Sequence, residues 1–202
     1  MSVSEQIRGK AERLPIGQPV TFKEFMGFGS RAAVDQALSR LVRAGVLSRP
    51  ARGIYVRPKR SPFVGEVPPE PAEMAEAIAQ ESGAVVQIHG AEAARRLGFS
   101  TQVPARPIFY TNGPNRRFRL GGMEVTLKHV SPRKLALAGR MAGVALTALW
   151  YLGKNSVTPL TIEQVRRQLS PEEFEALRKA TKTMPGWMHD AFLRHENEMH
   201  HA

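Results

Sequence analysis

Ser30-Arg31-Ala32-Ala33-Val34-Asp35-Gln36-Ala37-Leu38-Ser39-Arg40-Leu41-Val42-Arg43-Ala44-Gly45 decides how the first part of the chain folds. Ser30 is a helix-capping residue type, and Val34, Ala37, Leu38, Leu41 and Val42 recur at helical spacing on one face. Gly45 stands where a left-handed C-cap belongs. The opposite face carries Ala32, Gln36, Ser39, Arg40 and Arg43. Next come Val46-Leu47-Ser48-Arg49, a turn at Pro50-Ala51-Arg52-Gly53, and Ile54-Tyr55-Val56-Arg57, an alternation that predicts a two-stranded hairpin. Working backward, Thr21 and Glu24 form a capping box ahead of Phe22, Phe25 and Met26, with Gly27 and Gly29 closing the segment. Ser2 and Glu5 form another, ahead of Ile7, Ala11 and Leu14, until Pro15 ends the helix. Helix, helix-turn-helix, hairpin is the order of a winged helix.

That pattern has a chemistry. A helix fits the major groove of DNA, and its polar face meets base edges while flanking cations neutralise phosphates. Ser30, Arg31, Gln36, Ser39, Arg40 and Arg43 on the helix suit base and phosphate contact, glutamine being a bidentate partner for adenine and arginine for guanine. Arg49, Arg52 and Arg57 on the hairpin suit phosphates. Charge agrees: residues 1–60 hold 12 Lys and Arg against 4 Asp and Glu, while the whole chain of 202 residues carries a net +11.

Pro58, Pro62, Pro68, Pro69 and Pro71 then crowd a stretch that neither a helix nor a central strand can run through. The expected organisation is a domain over 1–60, a proline-rich linker over 61–71 and a second domain over 72–202. In the latter, Ala72–Glu81 reads as a helix, Ala84–Ile88 as a strand and Gly90–Leu97 as a short helix ending at Gly98. Extended segments at Pro107–Thr111, Arg117–Leu120 and Met123–Lys128 predict a small antiparallel meander. Helices follow, started by Ser131-Pro132, by Thr161 with Gln164, by Ser170-Pro171-Glu172-Glu173, and near Trp187. The fold class expected is α/β in the broad sense, α+β in detail: an N-terminal winged helix-turn-helix, then a mixed domain with a small antiparallel sheet and C-terminal helices.

Several function classes drop out. With no cysteine there are no disulfides, thiolate zinc sites or cysteine nucleophiles. The only aspartates are Asp35 and Asp190, so no Asp-x-Asp metal pair exists, and with it goes the nucleotidyltransferase motif. His195 and His200 lack the His-Glu-x-x-His spacing, and the histidines near the carboxyl end, His189, His195, His200 and His201, read as surface residues, with no metal expected. His89 and His129 each end a predicted strand and read as hydrogen-bonding histidines at the core edge. There is no phosphate-binding glycine loop, and Gly98-Phe99-Ser100-Thr101-Gln102 lacks the second glycine of a nucleophile elbow. The expectation is therefore a protein with no enzymatic activity and no cofactor. Leu135–Leu152 is apolar but interrupted by Arg140, so it reads as a core helix and not a membrane span. The amino-terminal residues lack the pattern of a secretory signal, and a cytoplasmic location is expected.

One run is more specific. Gly90-Ala91-Glu92-Ala93-Ala94-Arg95-Arg96-Leu97-Gly98-Phe99-Ser100-Thr101-Gln102-Val103-Pro104, followed by Phe109-Tyr110-Thr111-Asn112-Gly113 and Leu127-Lys128-His129, resembles the central signature of AbiEi-type antitoxins of type IV toxin–antitoxin systems. The resemblance covers about residues 4–155, most of the chain, and departs from the family at Arg95 and Arg96. It implies a phage-defence antitoxin that binds double-stranded promoter DNA bearing inverted repeats, with dimerisation on that DNA, and represses its own promoter. It also implies a nucleotidyltransferase-type toxin as functional partner, opposed without a stable complex. Arg95, Arg96, Ser100, Thr101 and Gln102 are the candidate antitoxin surface. Read without the family, Ser100, Thr101 and Gln102 either bond to local backbone or contact a ligand. The competing functions are an RNA-binding or tRNA-shielding module, using Arg95, Arg96, Arg106, Arg116, Arg117 and Arg119 as a second basic surface, and a stand-alone winged-helix regulator.

Overall fold

Ser2 and Ser30 perform the capping that their positions predict. The Ser2 hydroxyl accepts from the Glu5 N–H and the Glu5 carboxylate accepts from the Ser2 N–H, closing the capping box that opens α1 (Val3–Arg13). Ser30 accepts from the Ala33 N–H to open α2 (Arg31–Arg43). Between them lie β1 (Pro19–Thr21) and a 3-10 helix, Phe22–Phe28. After α2 come β2 (Ser48–Ala51) and β3 (Ile54–Val56). The three strands form one antiparallel sheet in the order β1-β3-β2. Ile7, Ala11, Phe25, Val34, Leu38, Leu41, Leu47 and Tyr55 make a continuous buried core, with Phe25 and Tyr55 meeting edge to face at 6.2 Å.

The computed structural model describes residues 2–200 and divides into two compact units, Met1–Ala84 with Arg117–Val125, and Val85–Arg116 with Thr126–Ala202. The protein is of mixed α+β class, with small sheets and C-terminal helices.

The stretch 61–71, expected as a linker, is ordered, and the units divide after it. Strands β4 (Lys59–Ser61) and β5 (Gly65–Val67) pair antiparallel, with Lys59 opposite Val67 and Ser61 opposite Gly65. The prolines allow this because they stand outside the paired residues: Pro58 precedes β4, Pro62 is in the turn, and Pro68 and Pro69 follow β5. Pro71 then takes the first position of α3 (Pro71–Glu81), where a missing N–H is harmless. This helix, expected in the second domain, belongs to the first unit. It buries Met74, Ala75, Ala77, Ile78 and Ala79, and the Lys23 ammonium donates to the Gln80 carbonyl at 3.1 Å. Apolar residues on one helix say that the helix is covered, not by what.

β6 (Val86–Ile88) pairs antiparallel with β7 (Ile108–Thr111), and β7 pairs parallel with residues 126–129 of β9 (Met123–His129), all within the second unit. The sheet order is β6-β7-β9-β8, with β8 (Arg116–Leu120) at the edge and its residues 117–120 counted with the first unit. The expected meander would have placed β8 beside β7; the observed order needs a parallel pair, which the alternation pattern of single strands does not encode. α4 (Gly90–Arg96) follows β6. α5 (Met141–Leu152) is buried from Ala142 through Leu149, as expected of a core helix. Its first turn is closed from outside, the Glu173 carboxylate accepting from the Ala142 N–H at 2.7 Å. α6 (Pro159–Gln168), α7 (Pro171–Ala180) and α8 (Gly186–His200) complete the unit. Among the described residues no helix is long and apolar enough to cross a membrane.

Candidate nucleic-acid interface

The amphipathic pattern of α2 sorts its residues cleanly. Val34, Ala37, Leu38 and Leu41 are buried, and Arg31, Ala32, Gln36, Ser39, Arg40 and Arg43 are exposed. Spacings of three and four place Ala32, Gln36, Ser39, Arg40 and Arg43 on one face, so their polar ends form a single strip. The Arg40 guanidinium has no hydrogen-bond or ion-pair partner among the described residues, and that of Arg43 donates only to the Ser39 carbonyl one turn back, at 3.4 Å. Arg31 lies at the edge of the strip, with its guanidinium 5.3 Å from the Phe22 ring centroid and 3.9 Å from Asp35. The Ser30 oxygen is taken up by the cap, so its role is to set the start of α2.

The three hairpin arginines separate. Arg52 is exposed at the turn before Gly53, where a φ of 78° needs a residue without a Cβ. That turn is held close to the body, because the Phe22 N–H donates to the Gly53 carbonyl at 2.7 Å. Arg49 is exposed and lies over the Tyr55 ring, 5.6 Å from its centroid. Burial pushes the Tyr55 phenol up, and the Arg49 cation opposes that shift. Arg57 is half-buried and donates to the Leu14 carbonyl at 3.3 Å, tying the end of α1 to the sheet. Sequence reading also missed Glu81 of α3, whose carboxylate comes within 3.2 Å of the point a Gly53 Cβ would occupy. One of its oxygens is buried without a partner. An acidic group beside the turn lowers the local positive potential, and no local signal in residues 48–57 points to it.

The signature run in the second unit is built differently. Arg95 and Arg96 both donate to Glu92, at 2.8 and 2.9 Å, and together hold its carboxyl at about 2. Ser100 accepts from the Gln102 N–H at 3.1 Å and so satisfies its own loop. Thr101 and the Gln102 side chain are exposed. The turn after α4 is anchored by two residues that were not foreseen: Gln164 and Gln168 of α6 donate to the Leu97 carbonyl at 3.1 and 2.9 Å. Gly98 sits at φ 70°, whereas Gly90 permits close approach, since a Cβ there would stand 2.5 Å from Tyr151 Cβ. His89 is the N-cap of α4, accepting from the Ala91 N–H, and burial with Lys128 nearby lowers its pKa. His129 ends β9, with its ring nitrogen 2.9 Å from the Gly113 carbonyl.

A family of unknown function (DUF6088) matches residues 6–177. The chain belongs to that family. No curated protein and no solved structure matches it. In this DUF6088 chain the matched span starts within α1 and ends within α7, so it takes in both the α2 face and the signature run.

The expectation of surface histidines fails at His195, which is buried in α8 against Glu163 at 3.0 Å and beside the Phe174 ring. The carboxyl-terminal residues read as a polar tail because the partners that cover His195 lie on α6 and α7. His201 lies outside the described residues. Among those described, no group of three His, Asp or Glu residues is placed to hold a metal ion.

Proposed function

We propose that this chain is the autorepressing antitoxin of a type IV toxin–antitoxin system, acting in the cytoplasm without catalysing a reaction. On this reading its first unit is a winged-helix domain that binds promoter DNA with inverted repeats, one copy of the chain on each half-site, and its second unit opposes a nucleotidyltransferase-type toxin. The observation that carries the DNA-binding half is the α2 face, where Gln36, Ser39, Arg40 and Arg43 form one exposed strip on a helix whose other side is core. Gln36 and Arg40 are matched to adenine and guanine edges, while Arg43, Arg49 and Arg52 neutralise phosphates. Arg57 and Ser30 support this surface structurally. The antitoxin half is supported by the resemblance of Gly90–Pro104, with Thr101 and Gln102 as the side chains left available to a partner and Arg95, Arg96 and Ser100 shaping the surface around them.

The test is a titration of a labelled duplex from upstream of the chain's own coding region at several salt concentrations, beside co-expression with a nucleotidyltransferase-type toxin. Each phosphate contact contributes a slope of about −0.9 in log K against log salt. The expected results are a steep salt dependence and restored growth. An affinity indifferent to salt, or no binding, overturns the DNA-binding half; growth arrest that persists with folded protein present overturns the antitoxin half.

A further inference from the structure

The β4–β5 hairpin combines an exposed apolar tip with a basic leg. Phe63 and Val64, at its tip, are 94% and 71% exposed, the most exposed large hydrophobic residues described in the first unit. Its basic leg carries Lys59 and Arg60, both exposed, and neither side-chain cation has a hydrogen-bond or ion-pair partner among the described residues. Glu66 faces Arg60 in register without forming an ion pair. The hairpin is anchored at its base, where the Gly17 N–H donates to the Arg57 carbonyl at 2.8 Å. Arg60 reaches back to the turn that ends α2: its guanidinium lies 3.3 Å from the point a Gly45 Cβ would occupy. Arg40 and Arg43 in the last turn of α2 and then Arg60 thus lead from the α2 face onto the hairpin, while Lys59 stands on the other face of the strand, against Gly17.

We infer that this hairpin is a second DNA-contacting arm, in which Lys59 and Arg60 neutralise backbone phosphates and Phe63 enters the minor groove as a wedge at one base step. The inference rests on the DNA-binding reading above and adds a contact to it. Proteins that kink DNA insert apolar side chains between base pairs from the minor groove, with cations beside them to hold the backbone. Pro62-Phe63-Val64 between a basic leg and a tight glycine turn is that arrangement, and it leaves the wedge with nothing of its own unit to pack on. A second copy of the chain is a poor occupant, because the basic leg that carries the apolar tip would face its own like charge across the contact.

The experiment uses the full chain, the upstream duplex and a mixed-sequence duplex, with dyes on both DNA ends so that affinity and end-to-end distance are read together. Phe63→Ser is expected to abolish the bend and weaken binding about tenfold or more with an unchanged salt slope. Lys59→Ala with Arg60→Ala is expected to flatten the slope by about 1.8. Since all three side chains are exposed, the melting temperature of each variant should match the parent. If the parent binds but Phe63→Ser binds equally well and bends DNA equally, the wedge is wrong and the DNA-binding reading stands. If the parent binds neither duplex, that reading fails and the wedge with it. Sedimentation without DNA supplies the remaining outcome: a parent dimer that Phe63→Ser converts to monomer, with bending retained, makes the tip a self-association surface and overturns the proposal.

Discussion

Replacing Gly90 by alanine sets two effects of opposite sign against each other, and the geometry decides the winner. Gly90 is the first residue of α4, where alanine would ordinarily stabilise by up to about 1 kcal/mol through helix propensity and reduced freedom of the unfolded chain. The new Cβ would stand 2.5 Å from Tyr151 Cβ, 2.9 Å from Cγ and 3.0 Å from Cδ2. Tyr151 is half-exposed, so its ring can swing aside, but its Cβ is fixed by the backbone of α5 and cannot. Relief therefore requires α4 and α5 to separate by about 1 Å, an overpacking change worth roughly 1–3 kcal/mol. The net expectation is destabilisation of about 1–2 kcal/mol, on the order of 5 °C in melting temperature. Urea unfolding of the single variant, of Tyr151→Ala and of the pair measures it. Because the shortest contact is to Cβ, which alanine at 151 retains, truncating Tyr151 should recover only part of the loss. A Gly90→Ala protein at least as stable as the parent, or full rescue by Tyr151→Ala, would show that the close approach of α4 and α5 does not set the need for glycine.

Gln36→Ala and Arg40→Ala should each relax base preference by about 1–3 kcal/mol at one position, whereas Arg52→Ala should weaken all sequences alike; binding-site selection with each variant checks this, and unchanged preference profiles contradict the assignment of α2 as the reading helix. Glu92, held at about 2 by hydrogen bonds from Arg95 first and Arg96 as well, against an ordinary value of 4.5, contributes stability that is complete above pH 4.5 and is lost as pH falls through about 2. An NMR titration should place its midpoint well below 4.5 and show it rising in Arg95→Ala; a native midpoint near 4.5 rules out the three-residue cluster.

The sequence by itself determined what neighbouring residues decide. Ser2, Ser30 and Ser170, the last with Pro171 after it, set helix starts because a cap bonds to an N–H three residues away. The two faces of α2 were legible because helical spacing alone sorts Val34, Leu38 and Leu41 from Gln36, Arg40 and Arg43. The tertiary structure decided whatever depends on a distant partner. It assigned α3 to the first unit through contacts such as Lys23 to Gln80, and chose the parallel β7–β9 pair over a meander. It also drew Arg57 from the surface to Leu14, buried His195 against Glu163, and anchored Leu97 to Gln164 and Gln168. In each case a spacing pattern reports that a side chain will be covered or bonded. The identity of the group that covers it is a property of chain packing, because residues tens of positions apart meet only when the whole unit has folded.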